Sequence, residues 1–134
     1  MMTKKIEVVA AAILSECEQK LFVAKRARQV HQGGLWEFPG GKKEHGETAE
    51  QALSRELEEE IGIKIKSILP LIKLEHNYGD KLVELDVYVV KNFSGEPRGV
   101  EGQLTKWINL TDIDSYDFPE ANLAIIKALK TRCI

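Results

Sequence analysis

Residues 40–63 read GGKKEHGETAEQALSRELEEEIGI, and how they fold decides the rest of the chain. Thr48 followed three residues on by Gln51 is a capping box, in which each side chain answers a backbone N–H left free by the first helical turn. Gly62 is the residue type that ends a helix. Residues 48–61 between these signals hold neither Pro nor Gly, so they predict a helix. Its last turns carry Glu56, Glu58, Glu59 and Glu60, where the backbone dipole is already negative. That crowding needs a cause.

Counting about 100° per residue from Glu56 puts Ala52, Ala49, Leu53, Leu57 and Ile61 at about 320°, 20°, 60°, 100° and 140°, a continuous apolar stripe. Glu56 at 0° and Glu60 at about 40° fall inside it, Glu59 at about 300° on its margin, and Glu58 at about 200° opposite. A run of Glu is ordinarily a solvated helix face. That accounts for Glu58, not for Glu56 and Glu60, which repel each other as an i,i+4 pair and would be costly to bury uncompensated. Protonation, a salt bridge or a divalent cation would each relieve the strain. Arg55 can offset only part of the charge, and carboxylates at i, i+3 and i+4 suit a hard cation that seeks oxygen ligands, so the cation is the favoured reading.

In front of the helix, Gly40-Gly41 is read as a sharp turn whose backbone can come close to a ligand and offer a carbonyl to the same ion. It is not a phosphate-binding P-loop, since Trp36 stands where the first Gly would be and Lys43 follows Lys42 in place of Ser or Thr.

Outward from this core, residues 6–14 and 21–24 predict two strands joined by a polar turn, residues 30–34 a loop, and residues 35–38 a short apolar piece stopped by Pro39. Residues 63–74 and 81–90 predict a second pair of strands around the turn Asn77-Tyr78-Gly79-Asp80, with Pro70 marking a break or a sheet edge. Residues 94–99 form a polar loop, 104–110 a further strand, and 119–130 a closing helix with an apolar stripe of Ala121, Ile125, Ile126 and Leu129. Strands interspersed with two helices predict one α/β sandwich.

The chain has 134 residues, enough for one domain, 1–134. With 43% hydrophobic and 30% charged residues it has the composition of a soluble globular protein. A net charge of -2 and scattered Lys and Arg argue against polymeric nucleic acid as a partner and leave room for a small anion carrying its own metal counter-ions. Cys17 and Cys133 are far apart in sequence, with no CxxC spacing, and read as free thiols in a reducing cytoplasm, a disulfide being the lesser alternative. Lys4-Lys5 before residues 8–14 could imitate a signal peptide, but the strand reading is better, and no run reaches the length of a membrane span.

Gly41, Glu47 and the run Arg55-Glu56-Leu57-Glu58-Glu59-Glu60-Ile61-Gly62-Ile63 resemble, at every fixed position, the Nudix box GX5EX7REUXEEXGU, where U is apolar. The likeness extends along nearly the whole chain and is strongest to the MutT branch, hydrolases that clear oxidised guanine nucleotides. The resemblance implies an α/β/α sandwich with a mixed β-sheet, and a hydrolase of nucleoside triphosphates that uses Mg²⁺, with Mn²⁺ as a substitute. It implies that Glu56, Glu59 and Glu60 hold metal with the Gly40 carbonyl, and that Arg55 pairs with Glu47 to orient them.

By the same likeness, Glu101 in Gly99-Val100-Glu101-Gly102-Gln103 is a further metal ligand or assists the water, and Asn122 in Phe118-Pro119-Glu120-Ala121-Asn122 reads the modified guanine. An Asn amide carries both a donor and an acceptor for such an edge. Arg26 matches a nucleotide-contacting Arg, and Phe38 stands near the base pocket. Glu56 is the favoured general base and Glu101 the second. The substrate implied is 8-oxo-dGTP; a pyrophosphatase for CTP or another ordinary nucleotide, and a nucleotide sensor without catalysis, are the rivals. A cytoplasmic monomer is expected.

Overall fold

A computed structural model describes residues 4–26 and 34–132. Within them the elements run β1 (Lys4–Leu14), β2 (Lys20–Lys25), β3 (Trp36–Glu37), β4 (Gly40–Lys42), α1 (Ala49–Ile61), β5 (Lys64–Asn77), β6 (Lys81–Ser94), β7 (Thr105–Asn109), two 3-10 turns (Leu110–Ser115 and Glu120–Asn122) and α2 (Leu123–Arg132). The strands of the described residues make one mixed sheet, ordered β3-β2-β1-β6-β5, with β4 also on β1 and β7 also on β2. β1 runs parallel to β6 from Lys4↔Lys81 to Ile13↔Val90 and antiparallel to β2 and β4.

The alternation of β1 explains its sequence. Val9, Ala11 and Ile13 point to one face and pack with Ala52, Leu53, Leu57 and Ile61 of α1. Ala10, Ala12 and Leu14 point to the other and pack with Ile125, Ile126 and Leu129 of α2. A strand covered on both faces reads as an unbroken apolar run, which is what residues 8–14 show. The expected α/β/α sandwich is therefore the architecture found.

Pro70 lies on β5, the edge strand, and the β5–β6 register slips next to it, between Pro70 and Ile72. The edge position read from the sequence holds, because a residue without an N–H fits where a ladder bond is absent, while the strand itself runs unbroken through Pro70. The closing helix starts later than expected. Glu120–Asn122 form a 3-10 turn in which the Asn122 N–H bonds to the Pro119 carbonyl at 2.9 Å, and α2 follows.

One expectation is corrected. Gly40-Gly41 is not a sharp turn but the body of β4, paired with Ala10 and Val9 of β1. Neither glycine has a positive φ among those that do; each is there for space. A Cβ on Gly40 would stand 2.0 Å from the Val9 carbonyl oxygen, and one on Gly41 2.5 Å from the carboxyl carbon of Glu56. Most of the expected 30–34 loop and Cys133 lie outside the described residues. Cys17 is an exposed free thiol. No helix among the described residues is long and apolar enough to cross a membrane.

Candidate active site

Helix α1 is held in rotation and in length by its ends. Thr48, in extended backbone (φ -77°, ψ 164°), accepts the Gln51 N–H and returns its own N–H to the Gln51 side chain, completing the capping box. Gly62 takes the left-handed conformation (φ 71°) and closes the last turn onto Glu58. With Ala52, Leu53, Leu57 and Ile61 buried against β1, Glu56 and Glu60 have only one direction left, towards β4.

There the two acids meet backbone. Glu60 Oε2 accepts the Gly40 N–H at 3.3 Å, and the Glu56 carboxylate lies over Gly41, with its side chain 14% exposed. Burial pushes the Glu60 carboxyl up to about 8, helped by the charges of Glu56 and Glu37 and opposed by the Gly40 N–H. A cation beside the Glu60 carboxylate would relieve the burial and repulsion that raise it.

Arg55 organises the flank. Its Nε and Nη2 grip both oxygens of Glu47 at 2.9 and 3.0 Å, Nη2 donates to the Lys42 carbonyl at 3.2 Å, and Nη1 donates to Glu56 at 2.9 Å. The bidentate bond to Arg55, with the Glu44 N–H at 2.7 Å, holds the Glu47 carboxyl down at about 2 and raises the guanidinium well above its usual range. Planar, two-bond gripping of this kind fixes orientation as well as charge.

Glu59 and Glu101 are more exposed than the Glu56–Glu60 pair. The Glu59 side chain is 58% exposed and leans on Arg55 Nη1 at 3.5 Å, and Glu58 is exposed on the opposite face. Glu101 is exposed in the turn after Gly99, whose neighbour Val100 donates its N–H to the Glu60 carbonyl at 3.0 Å. Among the described residues no three His, Cys, Asp or Glu side chains converge as one metal-ligating group. The donor chemistry nonetheless fits a hard divalent cation: carboxylate oxygens beside exposed backbone, with an acid pair short of positive charge.

On the α2 side of β4 a cleft of about 350 Å³ opens, lined by Gly40, Gly41, Arg26, Phe38 and Asn122 among others. Its size is that of a small-molecule site. The residues singled out for the nucleotide are thus brought together, at the rim of the same strand that meets the acids. Phe38 is buried and stacks on Phe118 with ring centres 5.3 Å apart, so the core aromatic is also cleft wall. Arg26 pairs with Glu37 at 2.6 Å. The Asn122 side chain makes no hydrogen bond to another described residue, while its backbone N–H is used.

The sequence did not point to Glu37, His76, Tyr78 and Lys81, which also line this cleft. Tyr78 packs on His76 at 4.4 Å and lies under the Lys81 ammonium at 5.6 Å. The turn signal at residues 77–80 marks the hairpin, yet only tertiary folding carries its tip across to the cleft.

A family model described as NUDIX domain matches residues 10–128. The chain is 40% identical to the 8-oxo-dGTP diphosphatase of Escherichia coli strain K12, over 95% of this chain and 98% of that protein. It is 35% identical to the CTP pyrophosphohydrolase of the same organism, over 93% of this chain and 91% of that one. A solved structure from a study of MutT from Aliivibrio salmonicida and Vibrio cholerae superposes with a TM-score of 0.88 at 39% identity, covering 96% of this chain and 99% of the other.

Proposed function

This chain belongs to the Nudix family of hydrolases, and from that premise we propose that it cleaves 8-oxo-dGTP to the monophosphate and pyrophosphate, removing an oxidised precursor from the nucleotide pool of the cytoplasm. The observation that carries this reading is the join between the acid pair and the cleft: Glu56 and Glu60 lie against Gly41 and Gly40, and those glycines are among the residues that line the cleft together with Asn122 and Phe38. A nucleotide whose base lies at Asn122 can place its phosphates at the acids.

Gly40 through its carbonyl, Glu56, Glu59, Glu60 and Glu101 would hold Mg²⁺, or Mn²⁺ in its place. Bound there, the metal supplies positive charge to the phosphate oxygens and to the leaving pyrophosphate. Glu56 takes the proton from the attacking water, aided by the Arg55 Nη1 contact that fixes one of its oxygens. Glu47 keeps Arg55 in that position through its two-bond grip. Phe38 offers an apolar face to the base, the Asn122 amide meets its donor and acceptor edge, and Arg26 faces the nucleotide from the cleft wall.

A second reading, hydrolysis of CTP, is favoured by the 35% identity to a CTP pyrophosphohydrolase. A panel of 8-oxo-dGTP, dGTP, CTP and dATP, assayed for pyrophosphate with Mg²⁺ and again with EDTA, decides between them. The oxidised guanine nucleotide should be turned over fastest, and EDTA should stop all release. Fastest turnover of CTP would give the second reading. No release from any nucleotide would leave a sensing module.

A further inference from the structure

We propose that Gln103 is a positioning residue for the reaction, the clamp that sets where Glu101 stands relative to the acids of α1. The inference rests on the role of Glu101 proposed above and goes beyond it, because it names what holds that residue in place.

The starting point is the C-terminal end of α1, whose last carbonyls must find donors outside the helix. The Gly62 N–H returns to Glu58 at 3.2 Å, and the Ile61 and Glu60 carbonyls turn to the segment after β6. Arg98 N–H donates to Ile61 and Val100 N–H to Glu60, each at 3.0 Å. Gln103 adds a second bond to the same Glu60 carbonyl, Nε2 donating at 3.0 Å, while its Oε1 accepts the Glu101 N–H at 3.0 Å.

One side-chain amide therefore joins the backbone of Glu60, whose carboxylate meets Gly40, to the backbone of Glu101. Donor and acceptor at the end of one short stem are what this bridge requires, and Gln has both. The turn is built around it. The Gly102 N–H closes onto the Gly99 carbonyl at 3.1 Å, and a Cβ on Gly99 would stand 2.1 Å from the Gln103 carbonyl oxygen and 3.1 Å from Gln103 Oε1. The absence of that carbon keeps the space the amide occupies clear.

The side chain of Glu101 is exposed and has no hydrogen bond or ion pair with another described residue. Its carboxylate is thus aimed by its own backbone, and that backbone by Gln103. Removing the amide frees the Glu101 N–H, while Val100 and Gly102 on either side keep their own backbone bonds. Gln103 itself need touch neither metal nor nucleotide.

The test uses Gln103→Met, which keeps the length and removes both polar ends. With folding checked by an unchanged thermal midpoint, kcat should fall about tenfold while KM for the nucleotide moves less than about twofold, the pattern of lost transition-state positioning. Without any turnover, Mn²⁺ should bind the nucleotide-free variant more weakly, and exchange of the Glu101 amide hydrogen should accelerate. In a Glu101→Gln background the same change should cost less than about twofold more, because both act through one group.

A Gln103→Met protein with the wild-type rate and Mn²⁺ affinity, or a loss that multiplies in full on Glu101→Gln, would each overturn the clamp. Should Glu101→Gln itself turn over at the wild-type rate, the role of Glu101 falls and the clamp with it; a slow Glu101→Gln beside an unaffected Gln103→Met removes the clamp alone.

Discussion

At Glu56 and Glu60 the helix wheel and the structure agree, because the apolar stripe that contains them is the stripe the core buries. Rotation about a helix axis is a local property, and periodicity states it. Glu59 is different. Its place on the margin is legible, but its lean towards Arg55 depends on where Glu47, Glu44 and Lys42 hold that guanidinium, and no spacing expresses that. Two outcomes follow at this scale. Glu56→Gln should lower turnover by about a hundredfold or more and leave the thermal midpoint within a degree or two of wild type; turnover near wild type would remove Glu56 as the base.

The second concerns Glu60, whose carboxyl is raised to about 8 in the fold from an ordinary 4.5. The folded state then binds the proton more tightly than the unfolded chain. The Glu60 contribution to stability is fully present below about 4.5 and is lost as pH rises through about 8. Mg²⁺ held at Glu60 as proposed would displace that proton, so near neutral pH its binding should release protons, read as a buffer-dependent heat in titration calorimetry. Heats identical in buffers of different ionisation enthalpy would contradict this.

Among the elements, the helix was the most legible. Thr48, Gln51 and Gly62 state its ends in local chemistry, and the capping box and left-handed Gly62 are where they were expected. Thr48→Ala should cost about 1 kcal/mol in denaturant unfolding. β4 was the least legible, since two glycines carry no side-chain alternation and look like a turn. What fixes them as strand is the approach of β1 from one side and of α1 from the other, a fact of packing between segments distant in sequence.

The two glycines should therefore fail differently. At Gly40 the obstacle is the Val9 backbone, and Gly40→Ala should destabilise by at least about 2 kcal/mol. At Gly41 the obstacle is the movable end of Glu56, and Gly41→Ala should stay folded with much reduced turnover. Equal thermal midpoints for the two variants would count against this distinction.

Over the whole molecule, the alternation of β1 between the α1 and α2 layers predicts a sandwich with one helix on each face. That architecture sets the acids at the edge of the α1 layer and Asn122 at the start of α2, with β4 between them. The sequence shows the members of this arrangement, while the wall contributed by His76, Tyr78 and Lys81 emerges only when the β5–β6 hairpin is folded over. On the proposed role of its amide at the edge that oxidation alters, Asn122→Ala should cut kcat/KM for 8-oxo-dGTP by about ten- to a hundredfold and change that for dGTP little.

The most direct measurement of the central claim is the ratio of kcat/KM for 8-oxo-dGTP to that for dGTP, taken on the wild-type protein with saturating Mg²⁺. A site that binds the oxidised base through hydrogen bonds and delivers its phosphates to the Glu56–Glu60 pair should give a ratio of at least about a hundred. Equal values for the two nucleotides would contradict it.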